Sequence, residues 1–154
     1  MHKVKMYIKF SIIFVIFQCF LYKSANSEHI KLEVIIDGKE NFSESKLIVE
    51  GYDKQLLFKG KNIPLTRQEL SIKKIGKFID IITFSHNYMG FFVYIDLNND
   101  RKFNLDFKND PIEPYGYSLN PKKEYKQVRY EDIVIDMNLI QEPLKIKISS
   151  INKF

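Results

Sequence analysis

The sequence predicts an all-β protein: an antiparallel β-sandwich of about seven strands, immunoglobulin-like or prealbumin-like, preceded by a signal peptide. Three observations lead there. From His29 onward apolar and polar residues alternate with period two, the pattern of a strand with one face on a core and the other in water. No later stretch sustains a capped helical period, which removes the crossover helices an α/β fold needs. The chain has 154 residues, 45% of them apolar, with 13 Phe and 9 Tyr, enough for one packed core and unlike a disordered composition.

The first 27 residues read as a secretory signal, with a basic stretch from Met1 to Lys9, an apolar core from Phe10 to Tyr22, and small residues at Ala25 and Ser27 ahead of Glu28. The apolar core holds 13 residues, whereas a membrane-spanning helix needs roughly 20. It therefore predicts cleavage, with membrane contact only through this transient segment and the mature protein periplasmic or extracellular. Cys19 follows Gln18, where a lipoprotein cleavage site requires a small residue, and reads as part of the signal core. Residues 28–154 form the single expected domain and contain no cysteine. Such a domain must be held by its core or by an ion rather than by disulfides.

Within that domain, Ile30, Leu32, Val34 and Ile36 mark the first strand, and Asp37-Gly38 supplies a turn. Further strands are expected at 46–52, 69–75, 78–84, 91–96, 133–137 and 144–150. Leu32, Val34, Val93, Ile133, Ile135, Ile146 and Ile148 are expected to share one core. The intervals 53–68 and 97–129 remain as long connections, and loops of that length in a compact domain are commonly functional.

Charge argues against nucleic acid. The formal +5 arises largely from Lys3, Lys5, Lys9 and Lys23 in the signal, leaving 20 basic against 19 acidic residues, without the basic stripe such a partner requires. The pairs Lys73-Lys74 and Lys122-Lys123 read as solvated faces. Catalytic motifs are absent: no nucleophile elbow, zinc helix or phosphate-cradling glycine loop occurs, and His29 and His86 stand alone in polar settings. Glu131 with Asp132 is the one adjacent carboxylate pair placed where an enzyme would use it. Tyr115, Tyr117, Tyr125 and Tyr130 cluster in the second long connection. They either close an end of the sandwich or, with Tyr115, Tyr117 and Tyr130 exposed, form a platform for a glycan.

The most informative stretch runs from Asp96 to Asp106, where oxygen-bearing side chains recur at Asp96, Asn98, Asp100, Asn104 and Asp106. A loop wrapping a hard cation such as calcium needs this spacing, with a backbone carbonyl, here that of Lys102, filling the gap. Compared with an EF-hand loop, Arg101 stands where glycine makes the sharp turn and Phe107 where a bidentate glutamate closes the shell. Asp106 or Glu113 would have to complete the shell, with Pro111 and Pro114 stiffening the approach that holds Glu113 nearby. The other reading of the stretch is a polar turn whose Asp and Asn side chains cap their own backbone.

The segments Gly90 to Asp96, the Asp/Asn loop, Pro111-Ile112-Glu113-Pro114-Tyr115-Gly116-Tyr117-Ser118 and Tyr130-Glu131-Asp132 resemble the secreted bacterial family known as domain of unknown function 2141. Ile95, Arg101 and Asn104 depart from that family's His, Gly and second Asp. The resemblance implies a small exported β-sandwich without assigned enzymatic activity or ligand. The expected function is therefore a non-enzymatic exported module with a calcium-organised loop, binding or structural at the cell envelope. Its expected partner is an envelope or extracellular component, and a glycan-binding module and an enzyme are the alternatives.

Overall fold

The computed structural model describes residues 28–36, 42, 44–53, 63–72, 77–84, 86–140 and 143–148. The expected signal, with Cys19, lies outside the described residues, as do the Asp37-Gly38 turn and the Lys73-Lys74 pair. The described chain is all-β, with strands β1 (Glu28–Ile36), β2 (Lys46–Tyr52), β3 (Thr66–Ser71), β4 (Lys77–Phe84), β5 (Tyr88–Asp96), β6 (Tyr115–Tyr117), β7 (Val134–Asp136) and β8 (Leu144–Ile148). They form a three-stranded sheet, β4-β1-β8, and a five-stranded sheet, β3-β2-β5-β6, with β7 also paired to β5.

Two sheets facing each other follow from the alternation. Ile30, Leu32, Val34 and Ile36 of β1 and Leu144, Ile146 and Ile148 of β8 meet Leu47 and Val49 of β2 and Met89, Phe91, Val93 and Ile95 of β5 in one buried cluster. Removing that apolar surface from water is the main force holding the sheets together. The expected core is recovered for Leu32, Val34, Val93, Ile146 and Ile148, with Ile135 partly buried against it. Ile133 is buried elsewhere, in a second cluster on the outer face of the five-stranded sheet.

Beyond the earlier start of β5 at Tyr88, three features depart from the sequence expectation. Strands β1 and β8 pair in parallel, Leu32 opposite Leu144 through Ile36 opposite Ile148, whereas the other strand pairings among the described residues are antiparallel. Local periodicity carries no information about such a long-range pairing. Strand β3 begins at Thr66 rather than at residue 69. As an edge strand reading TRQELS, it offers no apolar alternation to detect. Finally, the short β6 interrupts the expected connection 97–129 and pairs with β5, Val93 opposite Gly116.

The sheets approach each other at both margins. On one side Gln68 Nε2 of β3 donates to Thr83 Oγ1 of β4 at 3.4 Å. On the other, Asn120 behaves like one peptide unit of a missing strand: its Nδ2 donates to Lys145 O at 2.9 Å and its Oδ1 accepts from Lys147 N at 2.7 Å. Gly116 lets β6 approach that edge, since a Cβ there would lie 2.2 Å from the Lys147 carbonyl oxygen.

Candidate functional site

The Asp/Asn loop opens where β5 ends. Asp96, 0% exposed, is fixed by the sheet opposite Lys46, and its carboxylate turns into the loop. Oδ1 accepts from Asp100 N at 3.2 Å and Oδ2 from Arg101 N at 2.8 Å. Asn98 Oδ1 also accepts from Asp100 N at 3.2 Å. Asp100 Oδ1 accepts from Lys102 N at 2.8 Å and its Oδ2 from Asn104 Nδ2 at 3.1 Å. The Asn104 amide, with the Lys102 N–H, holds the Asp100 carboxyl below the usual carboxylate range. This winding requires left-handed backbone at Asn99 (φ 57°) and Arg101 (φ 64°). Asn tolerates that region, whereas at Arg101 it costs roughly 1–2 kcal/mol.

Glu113 closes the loop from below. It is 2% exposed, and its Oε1 accepts from Leu97 N and its Oε2 from Asn104 N, each at 2.9 Å. One carboxylate thus bridges the loop's first and last turns. Burial pushes its pKa up, the two amides oppose that shift, and the charges of Asp96 and Asp100 add to it. Among the described residues no Lys, Arg or His forms an ion pair with Asp96 or Glu113. Asn104 Oδ1 is buried with no hydrogen-bond partner.

The structure therefore brings Asp96, Asn98, Asp100, Asn104 and Glu113 into one hydrogen-bonded unit, with Lys102 held in its outer turn by its own N–H. Asp106 stands apart: its Oδ1 accepts from Lys108 N and Asp110 N, both at 2.8 Å, and builds a separate turn. Among the described residues no three His, Cys, Asp or Glu side chains group closely enough to hold a metal by themselves. The donor set of the loop mixes carboxylates with amide oxygens.

The tyrosines lie beneath and beside this loop. Phe92, Tyr94, Tyr115, Tyr117, Tyr125 and Phe103 form a continuous aromatic layer on the outer face of β5 and β6, with Phe92 and Phe103 edge-to-face at 4.8 Å. Phe103 belongs to the ion-candidate loop, so the layer anchors it, each ring pair adding about 0.5–1.5 kcal/mol beyond area burial. Tyr117 and Tyr130 are buried and Tyr115 is half-buried, and burial raises the pKa of all three. They pack against the sheet and present no exposed platform. Glu131 is exposed, while Asp132 accepts from Lys123 Nζ at 2.6 Å and from Arg129 N at 2.9 Å, which lowers its pKa. His29 Nδ1 sits 3.3 Å from Thr83 Oγ1, and His86 pairs with Asp53 at 3.6 Å.

Two sets of residues escape a reading of the sequence. Ser118, fully buried, accepts from Phe91 N at 2.9 Å and donates to Ile133 O, tying β5 to the turn before β7. A polar network also crosses β2, β3 and β5. The Tyr52 hydroxyl donates to Glu50 Oε2 at 2.6 Å, and Arg67 donates to Glu50 Oε1 at 2.9 Å and to the Tyr94 hydroxyl at 3.2 Å. No spacing signals this network, because its members come from three strands; an acidic and a basic residue in the middle of strands was the one hint.

Residues 34–143 match the family described as an uncharacterized protein conserved in bacteria, domain of unknown function 2141. No curated protein and no solved structure matches significantly. The matched span contains the Asp96–Glu113 loop and six complete strands, β2 to β7, and the chain belongs to the domain of unknown function 2141 family.

Proposed function

We propose that this protein is an exported, non-enzymatic module, binding or structural at the cell envelope, whose Asp96–Glu113 loop is organised by calcium. The observation that carries the reading is a pair of buried carboxylates, Asp96 and Glu113, without a cationic side chain among the described residues. Buried charge is costly unless paired, and backbone amides offset only part of that cost. The buried Asn104 Oδ1 beside them, which accepts no hydrogen bond from the described residues, is an oxygen of the kind that serves as a calcium ligand.

The donor chemistry fits a hard cation. Side-chain oxygens of Asp96, Asn98, Asp100 and Asn104, the Lys102 carbonyl and Glu113 would hold it, while Asp106 serves its own turn. Calcium would supply positive charge and order there. With two anionic side chains buried and Arg101 and Lys102 nearby, the affinity expected is that of extracellular modules, about 10⁻⁴ to 10⁻³ M. The charge distribution and N-terminal signal pattern support export to where such a weak site fills.

Titration calorimetry with calcium, beside melting curves at rising calcium, tests the reading. Binding heat and a raised melting temperature, both lost in Asp100→Ala with the sheet dichroism unchanged, are expected. No heat and an unshifted curve would leave the loop as a self-capped turn.

A further inference from the structure

This inference rests on the calcium reading of the loop and concerns the residue that sets its shape. Arg67 lies on the edge strand β3, 34 positions before Arg101. Its guanidinium is anchored on the sheet by two groups: Nη1 donates to Glu50 Oε1 at 2.9 Å and Nη2 to the Tyr94 hydroxyl at 3.2 Å. Glu50 is itself fixed by the Tyr52 hydroxyl at 2.6 Å. The same Nη2 donates to the main-chain carbonyl of Arg101. Arg101 is the loop residue that adopts φ 64° where the EF-hand pattern has glycine. Its side chain is drawn to the same strand, Nε lying 3.2 Å from Glu69 Oε1.

We infer that Arg67 is the positioning residue of the calcium loop: by pinning the Arg101 carbonyl to the sheet it holds a left-handed turn that glycine would otherwise supply. The preference for arginine is geometric. A planar fork with five donors reaches Glu50, Tyr94 and the carbonyl together, whereas a lysine ammonium on a flexible stem does not. The pinned turn presents the N–H groups of Asp100 and Arg101 to Asp96, so the Asp96 carboxylate is oriented before any cation arrives. Groups that orient metal ligands in this way typically change metal affinity 10- to 100-fold when removed.

The test uses the full chain and five variants: Arg67→Lys, Arg67→Ala, Arg101→Gly, and each of the two Arg67 variants combined with Arg101→Gly. Calcium affinity comes from calorimetry, and loop order from hydrogen exchange at the Asp100 and Arg101 amides in calcium-free protein. Arg67→Ala and Arg67→Lys should each weaken calcium binding about ten-fold or more and speed that exchange, and Arg101→Gly in the Arg67→Ala background should restore both. A wild-type affinity in Arg67→Ala, or a loss that Arg101→Gly fails to rescue, overturns the inference. Absence of calcium heat in the wild type overturns the calcium reading instead. Exchange that is faster in Arg67→Ala and rescued by Arg101→Gly would then still support Arg67 as the residue that holds the turn, and unchanged exchange would remove that role too. If Arg67→Ala does not fold, Arg67→Lys with and without Arg101→Gly decides the matter.

Discussion

Ser118 shows how much a single buried hydroxyl can hold. It accepts from the Phe91 N–H and donates to the Ile133 carbonyl while fully buried, so Ser118→Ala strands a buried donor and a buried acceptor. Such groups cost about 1–3 kcal/mol when left unmade, and denaturant unfolding should show a loss of that size; a loss within error of zero would mean water enters the site. Asp132 makes the complementary case at the surface. Its pKa is lowered by the Lys123 hydrogen bond and the Arg129 N–H, so the folded state holds its proton less tightly than the unfolded chain. Its stabilising contribution is present above the ordinary value of 3.8 and is lost as pH falls through the lower folded value. Asp132→Asn should therefore flatten the acid limb of the stability profile and leave the alkaline limb unchanged, as melting temperature against pH will report.

Among the elements, β2 was legible to the residue, because its Leu47 and Val49 alternate against the core. β5 was legible from its apolar run but begins earlier, at Tyr88. β3 and β6 were not legible as they stand, the first a polar edge strand and the second three residues long and held by contacts with β5 and β8. The loop was legible as an oxygen-rich spacing, yet spacing does not tell which turn each carboxylate serves: Glu113 accepts the amides of Leu97 and Asn104, whereas Asp106 accepts those of Lys108 and Asp110. Asn120 was invisible because its role depends on an edge 25 residues away. Asn120→Ala should free Lys145 O and Lys147 N, accelerate exchange at the Lys147 amide, and promote association through the uncovered edge of β8. An unchanged exchange rate and a monodisperse variant would show that the side-chain clamp contributes nothing to that edge.

Across the whole molecule, the five-stranded sheet is buried on both faces, aliphatic toward β1 and β8 and aromatic toward the long connection. Val93, 0% exposed between the sheets, is the point where a charge is least tolerable: Val93→Asp should yield unfolded protein by dichroism, since an unpaired buried charge costs several kcal/mol. The aromatic face adds a sensitivity to alkali. Burial raises Tyr52, Tyr94, Tyr117 and Tyr125 above the ordinary 10.0, so they stay protonated in the fold while the unfolded chain would ionise. That contribution is complete below pH 10.0 and is lost as pH rises toward the folded values. Tyrosinate absorbance from this layer should rise cooperatively with loss of sheet signal; a smooth titration of these rings preceding any loss of structure would contradict the burial of this layer.

The parallel pairing of β1 with β8 imposes an order on how the chain can reach its final form. Along the chain β1 precedes every other described strand and β8 follows them all, so Leu32 and Val34 can gather β4 early but must wait for the intervening strands before their second neighbour is in place. Until then one margin of β1 is an open row of amides and carbonyls. Domains dominated by such distant pairings fold slowly, on the scale of milliseconds to seconds, and remain open to edge-to-edge capture meanwhile. Refolding monitored at β1 amides should accordingly show their protection arriving in two steps, first on the margin facing β4 and, only with complete chains, on the margin facing β8.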